Sequence, residues 1–253
     1  MLRYLFLLCA FIANISFAQT WENYIKYFPR KSSTVVRDYK GNILKTHSLG
    51  VLDVRINSVQ QCADAAIRLR AEYFYSRKEY TKIEFRLTNG VIVCFDDWAK
   101  GYRLHKSSKC ITFSQKNGRK GYDRANFEKY LFEVMMYAGS ASLYQELNST
   151  NKLPKIGDLL IIPGYPGHVV IIIDKKTVKG INYYLFANSW MPAQDIEIIS
   201  GKNPKCRNFG NYTPILSTND KIYINGYLFN TSNSQLIRLL EPIYLLRVRE
   251  ASD

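Results

Sequence analysis

The chain reads as an α+β protein, on three observations: a capped helix in its first third, a second helix in its middle, and a last third of short apolar strands separated by turns. In the first helix Ser58 is placed as the cap and Gln61, three residues on, can reach back to it. From Val59 onward Cys62, Ala66, Leu69 and Tyr73 recur at helical spacing while Arg68, Arg70 and Glu72 face elsewhere, which carries the helix to about Ser76. Asp123 caps the second helix, whose stripe of Phe127, Leu131, Val134 and Met135 ends near Ala138; after Gly139 a shorter helical piece reaches Leu147. Strands are expected at 158–162, 168–174, 182–188, 221–224, 227–230 and 243–248, and a further one in the run Leu49 to Ile56. Asn89-Gly90, between KIEFRL and VIVCF, and Asn225-Gly226 are both suited to tight type I′ turns.

Residues 1–18 form an expected signal peptide: Arg3 supplies a positive start, Leu5 to Ile12 an apolar run, and Ser16-Phe17-Ala18 a cleavage site. That run is too short to span a bilayer, and no later stretch is apolar enough, so the expected protein has no transmembrane segment and is exported, periplasmic or secreted. Residues 19–253 fit a single α+β domain, with 81–121 as an insertion and 205–253 as a β-rich C-terminal part. A hydrophobic content of 47% with 14% aromatics supplies an ample core. The formal net charge is +14, one unit of it from Arg3. Outside the cytoplasm such a balance favours an anionic envelope polymer as partner and excludes nucleic acid; a dispersed basic surface kept for solubility is the plainer reading. Cys62, Cys94, Cys110 and Cys206 follow the signal segment, and Cys94 with Cys110 is the natural local pair.

The chemistry-bearing residues lie in IGDLLIIPGYPGHVVIIID at 156–174 and FANSW at 186–190. Pairing Asp174 with Asn182 across a turn centred on Val178 sets His168 opposite Asn188, and a register slip of two keeps both on one face. An amide beside an imidazole fixes the ring's tautomer and leaves one nitrogen to take a proton from a nucleophile. Cys62, in the first turn of its helix, is the candidate nucleophile, where the helix dipole lowers a thiol pKa and free N–H groups can receive an oxyanion. Tyr165, Trp190 and Gln61 flank these positions as candidate substrate-binding residues; capping is the simpler role for Gln61. His47, His105 and His168 show no metal-ligand spacing and no glycine-rich phosphate loop occurs, so no metal or cofactor is expected. Each residue also has a plain structural role open to it: a buried helical cysteine, a histidine behind a Pro-Gly turn, an asparagine at a strand end.

A cysteine at a helix N-terminus, a histidine at a strand start and an amide on the next strand, in that chain order, resemble the papain-like cysteine hydrolases. Asn188-Ser189-Trp190 matches the Asn-Ser-Trp of that superfamily, and Gly157-Asp158 before Gly167-His168-Val169 is similar to its cell-wall amidase and endopeptidase branch. The resemblance implies a papain-like fold, with the N-terminal helix packed on an antiparallel sheet or half-barrel and an inserted hairpin and helix. It also implies acyl transfer through a thioester, with Cys62, His168 and Asn188 as the catalytic residues. A second resemblance spans roughly residues 21–200. The words QQCADAAIRLRAEYFYS, MMYAGSASLYQEL, GDLLIIPGYPGHVVIIID and MPAQDIEI look like the uncharacterised bacterial family domain of unknown function 4846. That family usually has Gln-Ser-Tyr where this chain has Asn-Ser-Trp, and it brings no known activity with it.

Overall fold

Why the last third is so uniformly apolar is answered by the sheet it builds. In the computed structural model, which describes residues 20–108, 110–115, 117–149, 152–230 and 235–242, an eight-stranded sheet has its central strands, over residues 158–162, 168–173 and 183–188, largely buried on both faces. The expected signal peptide and the strand expected at 243–248 lie outside the described residues. The sheet runs in the order Gly50–Val51, Glu197–Ile199, Ile181–Asn188, His168–Val178, Asp158–Ile162, Gln235–Pro242 and Leu147–Ser149, with Thr213–Pro214 added beside Ile181–Asn188. Every pairing is antiparallel. Leu159, Ile161, Val169 and Ile171 point to one core, Leu160, Val170 and Ile172 to another, so consecutive residues are all apolar instead of alternating with polar ones.

The first core lies between the sheet and the helices. Its centre is the helix Cys62–Ser76, in which every residue from Ala63 to Phe74 is buried. Arg68, Arg70 and Glu72 were expected to face away from the core, yet each is enclosed. Arg68 pairs with Glu72 and with Glu128 at 2.8 Å, Arg70 with Glu146 at 2.5 Å, and Glu72 with Arg124. A second layer of helices, Arg124–Tyr137 and Ser140–Glu146, supplies those partners and covers the face that a sequence reading assigns to solvent. Buried charges are tolerated only when paired, so the four-membered group of Arg68, Glu72, Glu128 and Arg124 and the Arg70–Glu146 pair also fix how the layers register.

The second core is smaller. It is closed by a three-stranded sheet, Gly201–Lys202, Ile222–Ile224 and Tyr227–Phe229, which packs Ile222, Ile224 and Phe229 against Val170, Ile172 and Phe186. Residues 81–121 form two separate hairpins, Glu84–Arg86 with Ile92–Cys94 and Arg103–Lys106 with Ile111–Gln115, joined by the short helix Phe95–Ala99.

Local expectations divide instructively. The strands at 158–162, 168 and onward, 182–188, 222–224 and 227–229 form, as do the helix capped by Asp123 and the piece after Gly139. Asn225 (φ +50°) and Gly226 (φ +84°) make the type I′ turn. At Asn89-Gly90 only the glycine has positive φ, and Leu87 pairs with Val91, so the loop has three residues rather than two. The Cys62 helix starts later than expected. Its cap is Gln61, whose N–H donates to the Asp64 carboxylate at 2.9 Å; Ser58 stays outside. That shift places Cys62 at the first helical position. All four described cysteines are free, with Cys94 buried and Cys110 exposed, so the Cys94–Cys110 pairing is absent.

Candidate active site

His168 opens its strand because Gly167 lets it. A Cβ at Gly167 would overlap the Ser140 hydroxyl and the Gly164 carbonyl, so the chain can turn tightly out of Asp158–Ile162 only with glycine there. The imidazole is 2% exposed and Asn188 1%. Asn188 Nδ2 and His168 Nε2 lie 3.1 Å apart.

The register that brings them together differs from the expected one in two compensating ways. The turn is Lys179-Gly180, both with positive φ, closed by Val178 opposite Ile181 rather than centred on Val178. Continued without a break, that register would put His168 and Asn188 on opposite faces. A bulge intervenes at Ile173: Ile172 pairs with Phe186 and Asp174 with Leu185, leaving Ile173 unopposed. Beyond it Ile171 faces Ala187, so Asn188 falls diagonal to His168 on one face. One extra residue in the strand therefore decides whether the pair exists.

Cys62 comes from the other side of the sheet. It packs against the helix-side core, and the backbone N–H of Val169, the residue after His168, is directed at its thiol. The ladder between the two strands ends with Ile171 opposite Ala187, so Val169 lies beyond it, opposite Ile161 of the strand on its other side. The thiol thus lies beside the start of the His168 strand, beyond the last pair of its ladder with the Asn188 strand. Ser189, next to Asn188, ties the end of its strand to the segment before Cys62. Its buried hydroxyl lies 2.8 Å from the Gln194 carbonyl and 3.3 Å from that of Gln60, two residues before Cys62.

The electrostatics correct one expectation. Burial pushes the Cys62 thiol up, outweighing the Val169, Ala63 and Cys62 backbone N–H groups that pull it down, and the Asp64 carboxyl adds to the rise. The helix N-terminus does not produce a preformed thiolate here, because desolvation is the larger effect. Asp64 itself is pushed up to about 7 by burial, against the opposing pull of the Gln61 N–H and Arg68. Burial pushes His168 down to about 4. The resting site therefore holds a neutral thiol and a neutral imidazole.

The candidate substrate-binding residues fall in different places. Trp190 is half-buried and stands edge-on to the imidazole, with ring centroids 4.8 Å apart. Tyr165 projects fully into solvent from the turn before His168. Gln61 is exposed at the helix cap. Two neighbours escaped the sequence reading. Tyr227 stacks face-on over His168 at 4.3 Å and 17°, and Phe229 lies tilted at 6.1 Å. Both come from the Asn225-Gly226 hairpin, whose strands were legible but whose docking on His168 has no local signal. Among the described residues no group of three or more His, Cys, Asp and Glu is placed to hold a metal ion, and no helix is long and apolar enough to cross a membrane.

The arrangement is an α+β scaffold of antiparallel sheets with the buried helix Cys62–Ser76 packed in the core on one face of the main sheet. The chain belongs to the family described as domain of unknown function (4846), whose model matches residues 12–238. That match extends past the words recognisable by eye, through the hairpin carrying Tyr227. Comparison with curated proteins and with solved structures gives no match.

Proposed function

We propose that this protein is an exported, papain-like cysteine hydrolase that cleaves an amide or peptide bond, with Cys62 as nucleophile, His168 as general base and Asn188 as the residue orienting it. The observation that carries the reading is convergence. The thiol meets the peptide that follows His168, while Asn188 meets the His168 ring, although the three residues reach that point from three separate elements. A chance placement of a core cysteine would not require the end of the strand ladder to coincide with it.

The chemistry follows from neutral partners. A raised thiol and a lowered imidazole make the ion pair uphill at rest, so the proton moves to the ring as sulfur attacks the carbonyl carbon. For that step Nε2 must carry the hydrogen and donate to the Asn188 amide oxygen, leaving Nδ1 to accept. The Asn188 oxygen is buried and otherwise without a partner, and amide N and O are interchangeable in assigning such a bond. Turning the amide over gives the oxygen that bond. The acyl-enzyme thioester is then hydrolysed by water, with the proton held on His168 delivered to the leaving amine in the first half-reaction. The net charge of +14 suits an anionic envelope polymer or a peptide linked to one as substrate.

A second reading is a non-catalytic envelope or secreted binding protein on the same scaffold. The observation favouring it is the burial of the imidazole beneath Tyr227. Trapping the thiol separates the two. An electrophilic peptide probe of the epoxysuccinyl class should label Cys62 in the native protein and fail to label it in His168→Ala, with labelling recovered equally in both on unfolding. Equal native labelling of the two proteins would reject the hydrolase.

A further inference from the structure

We propose that Tyr227, from the C-terminal hairpin, is a positioning residue for His168: its ring fixes the imidazole plane and stabilises the charge that plane acquires when the ring takes a proton. The inference rests on the reading of His168 as the base and assigns that site a residue from a segment outside the strands that build it.

Geometry carries the argument. The two ring planes are within 17° of parallel with centroids 4.3 Å apart, while Trp190 meets His168 edge-on at 4.8 Å and Tyr227 edge-on at 5.4 Å. A ring with one face covered and an indole against it cannot rotate about its Cβ–Cγ bond without breaking both contacts. Its two nitrogens are therefore confined to one plane, with Nε2 held towards Asn188 and Nδ1 at the other side of the ring. Among the described residues no strand pairing joins the Ile222–Phe229 hairpin to the sheet that carries His168; there the hairpin pairs with Gly201–Lys202. The link between hairpin and imidazole is made by side chains, with Tyr227 stacked on the ring and Phe229 tilted at a longer distance. The type I′ turn at Asn225-Gly226 fixes Tyr227 directly after it, opposite Ile224, so the backbone places the phenol ring with little freedom.

The chemical consequence concerns the charged state. Burial opposes an imidazolium, whereas the π-face of a phenol ring attracts one. Stacking thus lowers the cost of proton transfer from Cys62 at the moment sulfur attacks, without charging the resting ring. Phenylalanine keeps this contact; leucine keeps the burial and loses the π-face.

The test uses the whole chain without its signal segment, in three forms: parent, Tyr227→Phe and Tyr227→Leu. Two readouts are taken, the tautomer of His168 from its ring nitrogen NMR signals and the rate of Cys62 alkylation by iodoacetamide at neutral pH. Tyr227→Phe should keep the parent tautomer and alkylate within about twofold of it. Tyr227→Leu should show mixed tautomers and alkylate about tenfold more slowly. Parent-like signals and rate in Tyr227→Leu would overturn the proposal, as would loss of both in Tyr227→Phe. Should the leucine variant fail to accumulate as folded protein, Tyr227→Met supplies the same comparison. The ring signals are independent of any thiol chemistry. If alkylation proves indifferent to His168 itself, the hydrolase reading falls, while the tautomer result still decides the role of Tyr227.

Discussion

On the helix side of the sheet, the segment bearing Cys62 is anchored by ion pairs: Arg68 with Glu72 and Glu128, and Arg70 with Glu146. On the opposite side, His168 is held by one amide and three aromatic rings. The two halves of the candidate site are thus built by different forces from different layers, on opposite faces of the sheet. Charge pairs fix position at the cost of desolvation and are intolerant of losing one member. Aromatic packing is less costly to perturb but sets ring orientation. The helix side should therefore govern whether the protein folds, and the other side whether the site works.

The largest expected effect tests the first half of that contrast. Glu146→Leu removes the buried ion pair with Arg70 and the acceptor of the Arg86 N–H. It should cost about 3–5 kcal/mol of unfolding free energy in urea. A loss below about 1 kcal/mol would show that packing, not charge, holds the helix.

Next in size are two opposing pH effects, one from each side. His168 sits at about 4 in the folded protein against 6.5 for a free imidazole, so between those values the unfolded chain binds the extra proton. Its contribution is complete above pH 6.5 and is lost as pH falls towards 4. Asp64 lies at about 7 against 3.8, so there the folded protein binds the proton. Its contribution is complete below pH 3.8 and is lost as pH rises through 7. Each is on the order of a few kcal/mol. Between pH 4 and 6.5 His168→Asn should make stability fall more steeply with rising pH than in the parent, and Asp64→Asn should make it rise. Urea titrations at four or five pH values would show both slopes, and slopes unchanged in both variants would contradict the burial assigned to these groups.

The smallest effect is a control lying in neither half. Asp123 caps the helix Arg124–Tyr137 by accepting from the Asn126 N–H. Asp123→Ala should cost about 1 kcal/mol in the same urea assay and leave Cys62 alkylation at the parent rate. A change in alkylation would mean that the site responds to stability in general.

How much of this was legible follows the same division. The strands of the cassette and the Asp123 cap follow from period and turn chemistry, while the shared face of His168 and Asn188 was expected from a register that the hairpin does not have. The bulge at Ile173 does not, because nothing in HVVIIID marks which residue will go unopposed; the expected pairing reached the right face through a turn placed differently. Helical period likewise put Arg68 and Arg70 on a solvent side, since it cannot foresee a second helical layer bringing Glu128 and Glu146. Thiol acidity was misjudged for a related reason. The helix N-terminus is visible in sequence, whereas the depth of burial that outweighs it is a property of the packed layers. Tyr227 reaches His168 across nearly sixty positions through side chains alone, a contact that no local pattern encodes.

Hydrolysis at this site requires that imidazole and thiol act together across the sheet. The direct measurement is the rate of Cys62 alkylation by iodoacetamide at pH 7.5 in the folded parent and in folded His168→Ala. Coupling through His168 predicts a rate at least about tenfold lower in the variant, with the two rates equal in urea. Equal rates in the folded proteins would mean that Cys62 and His168 are two unrelated core residues on opposite faces of one sheet.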